Sequence, residues 1–319
     1  MLLQRKITRV LFPLLLLFIA GACSKERRSA KAANKMQDFV INISNYARGF
    51  KKGFIVIPQN GIELAFNNND VSDGVNSSYM AAIDGFGVEE LFYNGAYTPD
   101  PERLSMLQQL KASKKILVAD YVADDKNITD AFYKNEQEGF LSFPRVNSNY
   151  NYTVIPDSVP HVNARNITAL AGASNYLYLI SNEKYGSKAD ILNAISKTNF
   201  DVLIMDLFFE KDAFTEDEIN HLKTKANGGK RLVIAYMNIG SAENFRYYWN
   251  SGWGLHHPLW LKKKYDGYED EFWVKFWKSD WQDIIYGNDN SYVKKIVNAG
   301  FDGVYLDNVE GYYFLYFDN

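Results

Sequence analysis

The stretch FDGVYLDNVEGYYFLYFDN (301–319) decides the fold. Its first half is an apolar run that begins after the turn Asp302-Gly303, a pattern that indicates a buried strand. The strand ends at Asp307, and parallel α/β sheets place their chemistry at the C-terminal ends of their strands. Only 12 residues follow Asp307, so the strands beside it must come from earlier in the chain.

Composition narrows the class of protein. The chain has 319 residues, of which 47% are hydrophobic, enough for one large α/β domain or two smaller ones. A net charge of −3, with no clustered Lys or Arg, argues against a nucleic-acid partner. Twenty-two Tyr and six Trp are many for this length, and they serve either as core or as stacking surfaces for sugar rings.

The N-terminus has the pattern of a targeting segment. Basic residues and an apolar run over 11–19 are followed by small residues at 20–22, directly before Cys23. We predict a lipoprotein-type signal peptide over 1–22 and lipidation at Cys23, with an ordinary cleaved signal peptide as the alternative. The apolar run is too short for a transmembrane anchor.

The predicted mature protein begins with a polar tether over 23–35 and continues as one domain over 36–319. Cys23 is the only cysteine, so the domain uses neither disulfides nor thiol chemistry. We expect a monomer in the cell envelope, lipid-anchored and facing the periplasm or the exterior, with the membrane reached only through the N-terminal lipid.

Alternating strands and helices organise the domain. Apolar runs predict eight strands, at 54–58, 83–92, 116–122, 175–181, 200–206, 231–237, 271–277 and 301–307. Amphipathic segments between them predict helices, including one over 36–47 and one that begins with a capping box from Thr215 to Glu218. Residues 123–172 have no sustained period and predict a long loop insertion.

Eight strands that alternate with helices match a (β/α)8 TIM barrel. An open doubly wound sheet is the alternative. No G-x-G-x-x-G follows a strand and no phosphate-binding G-x-x-x-x-G-K-[ST] occurs, which disfavours it.

Carboxylates and amides stand at the strand ends more often than a core requires. In a barrel they would converge on one mouth, where paired carboxylates suit glycoside hydrolysis. These candidates are Asn60, Glu89, Glu90, Asp120, Asp206, Asn238, Glu243, Asp307, Asn308 and Glu310.

Other chemistries find little support. The four histidines are His161, His221, His256 and His257, and none forms an H-x-x-x-H ligand pair. No G-x-S-x-G supplies a serine nucleophile. We expect no cofactor and no metal, with an all-carboxylate site for Ca²⁺ or Mg²⁺ as the alternative, although no EF-hand pattern occurs.

Two segments resemble glycoside hydrolase family 114, the endo-α-1,4-polygalactosaminidase-type enzymes: RLVIAYMNIGSAENFRYYW (231–249) and GFDGVYLDNVEGY (300–312). The resemblance implies a (β/α)8 barrel and a catalytic Asp at the end of the second segment, which is Asp307. It also implies a catalytic Glu two units later, which would fall beyond residue 319.

The missing segment resembles the beginning of this chain. FIVIPQNGIELA (54–65) and IDGFGVEELFYNG (83–95) are similar to the family segments that follow the Asp strand. The resemblance thus implies a circularly permuted barrel in which strand 301–307 pairs with strand 54–58. The catalytic Glu becomes Glu89 or Glu90, of which only one can face the mouth because side chains alternate along a strand; the motif register favours Glu89.

The predicted function follows from this resemblance. Asp307 is the nucleophile or base, and Glu89 the general acid. The substrate is an α-linked polysaccharide or oligosaccharide, with galactosamine as a candidate constituent. Substrate contacts are expected from Asp206, Asn60, Tyr236, Glu243, Asn308 and Glu310, with stacking on Trp249, Trp253 and Trp260. The alternatives are a carbohydrate-binding lipoprotein that has lost catalysis and an enzyme of another class on the same barrel.

Overall fold

The computed structural model describes residues 11–317, with side chains from Ser24 onward. The predicted signal peptide over 1–22 and the predicted lipidation site Cys23 therefore lie outside the residues whose side chains are described. Among the helices of the described part, none combines the length and the apolar character that a bilayer crossing needs.

Helices and strands alternate along most of the chain. The helices are α1 (Leu11–Phe50), α2 (Ser77–Ala82), α3 (Pro101–Leu110), α4 (Ile128–Glu138), α5 (Lys188–Ser196), α6 (Glu216–Leu222), α7 (Ser279–Ile285), α8 (Tyr292–Asn298) and α9 (Gly311–Phe314). The longer strands are β1 (Ile55–Pro58), β2 (Gly85–Tyr97), β3 (Lys115–Val122), β5 (Tyr176–Leu179), β6 (Val202–Asp206), β9 (Leu232–Asn238), β11 (Leu261–Tyr265), β12 (Tyr268–Val274) and β13 (Gly303–Asp307). The short strands are β4 (Leu141–Ser142), β7 (Phe208–Phe209), β8 (Asp212–Ala213) and β10 (Ser241–Glu243).

Two parallel sheets form the centre of this mixed α/β fold. One has five strands in the order β1-β13-β9-β6-β5, and the other has three in the order β2-β3-β4. A parallel bridge between Gln59 and Gly87 connects the two sheets. Most strand residues are buried, as in parallel sheets covered on both faces.

The last strand of the chain pairs with the first. β13 lies beside β1 in parallel register, with Tyr305 opposite Ile57. The amide of Gln59 continues this ladder by donating to the carbonyl of Leu306 at 2.9 Å. The prediction that strand 301–307 pairs with strand 54–58 is confirmed, and β13 is flanked on its other side by β9.

The helix predicted over 36–47 is confirmed within α1. Its apolar residues Met36, Phe39, Val40 and Ile43 are fully buried against the sheet layer. The capping box from Thr215 to Glu218 is also present, with both reciprocal hydrogen bonds, at the start of α6.

The predicted strand 271–277 is not part of the parallel set. β12 instead pairs antiparallel with β10 and β11 in a separate three-stranded sheet. Its N-terminal half is exposed, whereas Phe272, Trp273 and Val274 in its C-terminal half are all buried. A hairpin needs only a short turn, here at 266–267, whereas a parallel strand needs a crossover.

The predicted loop over 123–172 contains regular structure. Helix α4 occupies 128–138 and ends at Gly139, which adopts the left-handed conformation. The two-residue strand β4 follows and pairs with β3. The expectation of an irregular segment was therefore wrong for 128–142, because a two-residue strand is too short to give a periodic pattern.

Candidate active site

A large cleft opens at the C-terminal ends of the parallel strands. Its volume is about 1430 Å³. Nine of the predicted site residues line it: Asn60, Glu89, Glu90, Asp206, Tyr236, Glu243, Asp307, Asn308 and Glu310. The strand-end reasoning thus located these side chains, while their chemical roles remain predictions.

The packing below the cleft brings Glu89 and Asp307 to one place. On β13, Tyr305 points inward and lies against Gly87 of β2, so closely that a Cβ at position 87 would be 1.9 Å from the tyrosine hydroxyl. Side chains two residues apart share one face of a strand. Glu89 and Asp307 therefore follow Gly87 and Tyr305 on the same faces, one layer nearer the mouth, and the charge of Asp307 contributes to the pKa of Glu89.

Asp307 is held by two hydrogen bonds. The hydroxyl of Tyr236 donates to Oδ2 at 2.5 Å, and the backbone amide of Asn308 donates to Oδ1 at 2.7 Å. Burial raises the pKa of Asp307 above its usual range, while both hydrogen bonds act in the opposite direction because they stabilise the ionised form. The carboxylate is fixed in orientation and keeps acceptors toward the cleft.

Glu89 is held by one hydrogen bond to its side chain and one from its backbone. Its Oε1 accepts a 2.5 Å hydrogen bond from the hydroxyl of Tyr152, and its backbone amide donates to Oδ1 of Asn60 at 3.1 Å. Burial, and then the negative charge of Asp307, raise the pKa of Glu89 to about 7. A carboxyl with this pKa carries its proton for part of the time at neutral pH, which a general acid requires.

Glu90 is engaged elsewhere. Its backbone has φ of 55°, the left-handed region that a non-glycine residue seldom adopts, and its carboxylate forms a 2.6 Å ion pair with Arg145. Arg103 donates to the carbonyls of both Glu89 and Glu90 at 2.8 Å. The two neighbouring glutamates thus point to different partners.

A bulge in β2 produces this divergence. The pairing of β2 with β3 breaks between Glu89 and Asn94. Within the bulge, Oδ1 of the buried Asp120 accepts the amides of Phe92 at 2.9 Å and Tyr93 at 3.1 Å. The sequence-level candidate Asp120 therefore supports the backbone of β2 beneath the cleft, and bulges of this kind re-aim side chains next to active sites.

A second carboxylate group is organised by Arg246. Its guanidinium contacts Asp206 at 2.7 Å and Glu243 at 2.7 Å. All three side chains are nearly buried, so the single positive charge is shared between two negative ones. Arg246 was missed at the sequence level, although it lies inside the stretch 231–249 that carries the family resemblance.

Glu271 is a further carboxyl that the sequence reasoning missed. It comes from the antiparallel strand β12 and lines the cleft. Ser241 donates to its Oε2 at 2.9 Å, and Ser241 also accepts from Asn308 at 3.1 Å. Burial, together with the charge of Glu243, raises the pKa of Glu271 to about 8. The search of C-terminal strand ends passed over Glu271, because it is the first residue of the predicted strand 271–277.

Tyrosines form the floor of the cleft. The rings of Tyr152 and Tyr178 are stacked with centroids 3.9 Å apart, and Tyr178 packs against Tyr305 at 5.2 Å. The hydroxyl of Tyr178 is 3.0 Å from Oε1 of Gln59, to which it donates. Burial raises the pKa of Tyr178 and Tyr305 well above the usual range, so these phenols remain neutral.

The predicted tryptophan platform differs from what the fold provides. Trp249 stacks on Phe272, and Trp253 packs edge-on against the buried Trp260, away from the residues that line the cleft. Trp249 and Trp253 are half-buried, and Trp260 is buried. The exposed aromatic rings on the cleft wall are instead Tyr150, Phe245 and Tyr268.

The cleft is strongly acidic. Its charged lining comprises the two arginines Arg103 and Arg246 and twelve carboxylates. The carboxylates are Glu89, Glu90, Asp100, Glu183, Asp206, Glu210, Glu243, Asp266, Asp270, Glu271, Asp307 and Glu310. Within the described residues, no group of three or more Asp, Glu, His or Cys is arranged to hold a metal ion.

Comparisons with known proteins find relatives that match part of this chain. An uncharacterized protein of Methanocaldococcus jannaschii is 37% identical over 153 residues, 46% of this chain and 41% of the relative. Uncharacterized proteins of Thermotoga maritima and Deinococcus radiodurans are 30% and 32% identical over 43% and 38% of this chain. The matches span about two fifths of the length of these relatives.

The family match covers the C-terminal half. Residues 165–319 match the model of glycoside-hydrolase family GH114. This range holds Asp307, Tyr236 and the Arg246 cluster, whereas Glu89 precedes it. By this match, residues 165–319, slightly less than half of the chain, are similar to glycoside-hydrolase family GH114.

Proposed function

We propose that the protein hydrolyses α-linked glycosidic bonds of a polysaccharide, with Glu89 as general acid and Asp307 as nucleophile or base. The observation that carries the proposal is the pair itself. Two carboxyl groups face one cleft, and one of them, Glu89, has a pKa raised to about 7. Glycosidases use two carboxyl groups whose environments push their pKa values apart.

The chemistry assigns one step to each group. Protonated Glu89 donates its proton to the glycosidic oxygen as the bond to the anomeric carbon breaks. Asp307 either attacks that carbon to form a glycosyl-enzyme ester, which a water activated by the now ionised Glu89 hydrolyses with net retention, or removes a proton from an attacking water, which gives inversion. Tyr236 and the amide of Asn308 keep the Asp307 carboxylate aimed during either step.

Glu89 is favoured over Glu90 as the acid because of their partners. Glu90 is committed to a 2.6 Å ion pair with Arg145, and its Oε1 also accepts a hydrogen bond from Tyr150. Glu89 has only the neutral hydroxyl of Tyr152 as a direct side-chain partner. The remaining predicted contacts, Asn60 and Glu310, line the same wall and would bind sugar hydroxyls.

Charge supports an amino-sugar substrate. Twelve carboxyl groups and two arginines line the cleft, and although Glu89, Glu271 and Glu310 carry a proton for much of the time at pH 7, the remaining carboxylates outnumber the arginines. The resulting negative potential would attract a polymer that carries ammonium groups, such as one rich in galactosamine. Asp206 and Glu243 would face such groups from one side of the cleft, with Glu271 beside them. Exposed Phe245 and Tyr268 would stack on the apolar faces of the sugar rings.

We further propose that the parallel strands close into a (β/α)8 barrel. The five-stranded and three-stranded sheets are already linked at Gln59 and Gly87, and β4 and β5 would be the remaining neighbours. The circularly permuted order relative to the family stays a prediction. It would explain why the acid, Glu89, precedes the matched range 165–319 while Asp307 lies near its end.

The envelope location is likewise a proposal. It rests on the N-terminal sequence pattern that ends at Cys23. We expect a fatty acid to be incorporated into the wild-type protein and not into Cys23→Ser during metabolic labelling. Incorporation that persists in Cys23→Ser would exclude this anchor.

Hydrolysis of a panel of α-linked oligosaccharides, including partly deacetylated galactosamine oligomers, tests the function. Wild type is compared with Glu89→Gln and Asp307→Asn, and Asp157→Asn removes one carboxylate outside the cleft as a matched control. We expect each catalytic variant to lose about three or more orders of magnitude in kcat with its circular dichroism unchanged. The control variant should retain the wild-type rate.

Other outcomes would redirect the assignment. Loss of activity in Glu90→Gln with survival in Glu89→Gln would move the acid by one residue. Binding without cleavage by the wild type, altered by the same substitutions, would favour a carbohydrate-binding lipoprotein. The anomeric configuration of the first product, read by NMR, would separate retention from inversion.

A further inference from the structure

We propose that residues 143–152, here called the strap, control the acid: Tyr152 is a positioning residue that orients the Glu89 carboxyl, and Arg145 is the clamp that holds the strap in place. The inference rests on the assignment of Glu89 in the proposed function. It adds two residues, outside the matched range 165–319, whose contacts decide how Glu89 carries its proton.

The strap begins from a fixed point on the sheet. The backbone of Arg145 is bridged in parallel to Tyr121 at the end of β3. Its amide donates to the carbonyl of Asp120 at 2.9 Å, and its carbonyl accepts the amide of Val122 at 2.8 Å. Arg145 therefore extends the ladder beyond β4, although the chain around it has no regular structure.

The side chain of Arg145 folds the strap back onto itself. One terminal nitrogen, Nη1, donates to the carbonyls of Asn147 and Asn149, the latter at 3.1 Å. The other, Nη2, forms the 2.6 Å ion pair with Glu90. One guanidinium thus ties two backbone positions of the strap to β2, which uses the fork of donors that arginine has and lysine lacks.

Aromatic contacts complete the clamp. The guanidinium carbon of Arg145 lies 4.5 Å from the ring centroid of Tyr150 and 5.6 Å from that of Tyr152. Tyr152 is buried, has φ of 47°, and stacks on Tyr178 of β5. The strap therefore spans from β3 across β2 to β5 and delivers one hydroxyl to Glu89.

The electrostatic setting of Glu89 makes this hydroxyl decisive. The titratable and charged groups around Glu89 come from several elements, and most are negative or neutral. They are Asp307, Tyr305 and Glu310 at and after β13, Glu90 on β2, Tyr176 and Tyr178 on β5, Tyr265 and Tyr268 on the antiparallel hairpin, and Arg145, Tyr150 and Tyr152 on the strap. Tyr152 and Arg145 are the two groups that lower the pKa of Glu89 against burial and the neighbouring negative charges.

The strap thus lowers the proton affinity of Glu89. Without the hydroxyl of Tyr152, the ionised carboxylate loses its direct donor, so the proton would be held more tightly. A general acid with a higher pKa is a weaker proton donor, so a more tightly held proton is transferred less readily to the glycosidic oxygen. The hydroxyl also fixes the rotation of the carboxyl, which decides which oxygen carries the proton into the cleft.

NMR titration of the full chain tests the proposal without substrate. Glutamate labelled with ¹³C at the δ-carboxyl reports each Glu, and the Glu89 signal is assigned by its absence in Glu89→Gln. We expect a wild-type midpoint near pH 7. Tyr152→Phe should raise this midpoint by about one pH unit, because one hydrogen bond to the charged form is lost.

Tyr150→Phe is the matched control. It removes a hydroxyl of the same strap that donates to Glu90 at 3.0 Å rather than to Glu89. The Glu89 midpoint should stay within about 0.2 pH units of wild type. A midpoint that is unchanged in Tyr152→Phe, or that moves equally in both variants, would overturn the assignment of Tyr152.

Arg145 is tested by Arg145→Lys, which keeps the charge and removes the fork. We expect faster chymotrypsin cleavage within the strap and a Glu89 midpoint that rises toward that of Tyr152→Phe. Cleavage and midpoint both equal to wild type would show that Arg145 is no clamp. Because the titration needs no turnover, shifted midpoints in a protein that cleaves no glycoside would support the strap while refuting the proposed function.

Discussion

Each half of the chain contributes to the cleft a carboxyl group held by a tyrosine hydroxyl and a buried arginine, but the two arginines bind different partners. Residues 165–319 supply Asp307, oriented by a tyrosine hydroxyl, and a buried arginine, Arg246, that joins two carboxylates. The preceding half supplies Glu89, also oriented by a tyrosine hydroxyl, and a buried arginine, Arg145, that joins one carboxylate to backbone carbonyls.

The difference lies in what each arginine holds. Arg246 connects strand ends, which are rigid, so its contacts hold a fixed acidic wall. Arg145 connects the bulge of β2 to an irregular segment, so we expect its contacts to hold that segment in place. The family match covers only the half with the rigid wall, and the other half carries the proposed acid. Each prediction below separates the contributions of the two halves.

Arg246→Met should have the largest effect on stability. It leaves Asp206 and Glu243 buried next to each other without a counter-charge, which costs about 3–5 kcal/mol in the free energy of unfolding. Urea denaturation at pH 7 measures the loss. The double variant Arg246→Met with Glu243→Gln should recover part of it, and a loss below about 1 kcal/mol would show that the wall does not depend on this arginine.

The fold was readable from the sequence where strands are long and buried. Runs such as 200–206 and 231–237 predicted β6 and β9 because parallel strands are apolar throughout. β4 was missed because it has two residues. The strand 271–277 was misassigned because a short apolar and aromatic run, here buried over 272–274 in an antiparallel hairpin, does not distinguish a hairpin strand from a barrel strand.

The site residues were likewise predictable where they lie on regular strands and were missed where they lie on irregular segments. Residues that end parallel strands, such as Asp307 and Asp206, were found because strand ends converge on one edge. Arg145 and Tyr152 were missed because their roles depend on the path of an irregular segment, which no periodicity encodes. The tryptophans were assigned to the wrong surface, since their composition signal does not distinguish a core from a binding face.

Stability should fall as the pH rises from about 5 to about 8. The pKa values of Glu89, Glu271 and Glu310 are raised to about 7, 8 and 8, above the ordinary value of 4.5. In this window the folded chain binds more protons than the unfolded chain, so raising the pH favours unfolding by at most ~1.4 kcal/mol per pH unit for each such group.

The variants Glu271→Gln and Glu89→Gln measure how much each half of the chain contributes to the pH dependence of the unfolding free energy. Each variant should flatten the dependence of the unfolding free energy on pH, measured by urea denaturation at four pH values. Asp157→Asn, outside the cleft, should leave the slope unchanged. An unfolding free energy that increases from pH 5 to pH 8, or a pH dependence that neither glutamate variant alters, would contradict the prediction.

Gly87→Ala tests the seam between the halves. A Cβ at position 87 would lie 1.9 Å from the hydroxyl of Tyr305, so one strand or the ring must move, at a cost of about 1–3 kcal/mol. Gly172→Ala is the matched control, because a Cβ there has no atom within 4 Å. Equal thermal stability of the two variants would mean that β2 and β13 do not meet at this contact.

Tyr236→Phe has the smallest expected effect and separates the halves most sharply. The hydroxyl of Tyr236 lowers the pKa of Asp307, so its removal should raise that pKa and move the acid limb of the kcat/KM profile to higher pH by about one unit. Activity on the acid limb should then fall about tenfold, since Asp307 must be ionised to act. Tyr152→Phe should instead move the alkaline limb upward, since that limb reports the loss of the Glu89 proton. Because interacting carboxyls titrate as a pair, a small movement of the opposite limb is expected in each variant. If both variants move the same limb, the acid and the base are not divided between the two halves, and the roles of Glu89 and Asp307 must be exchanged or shared.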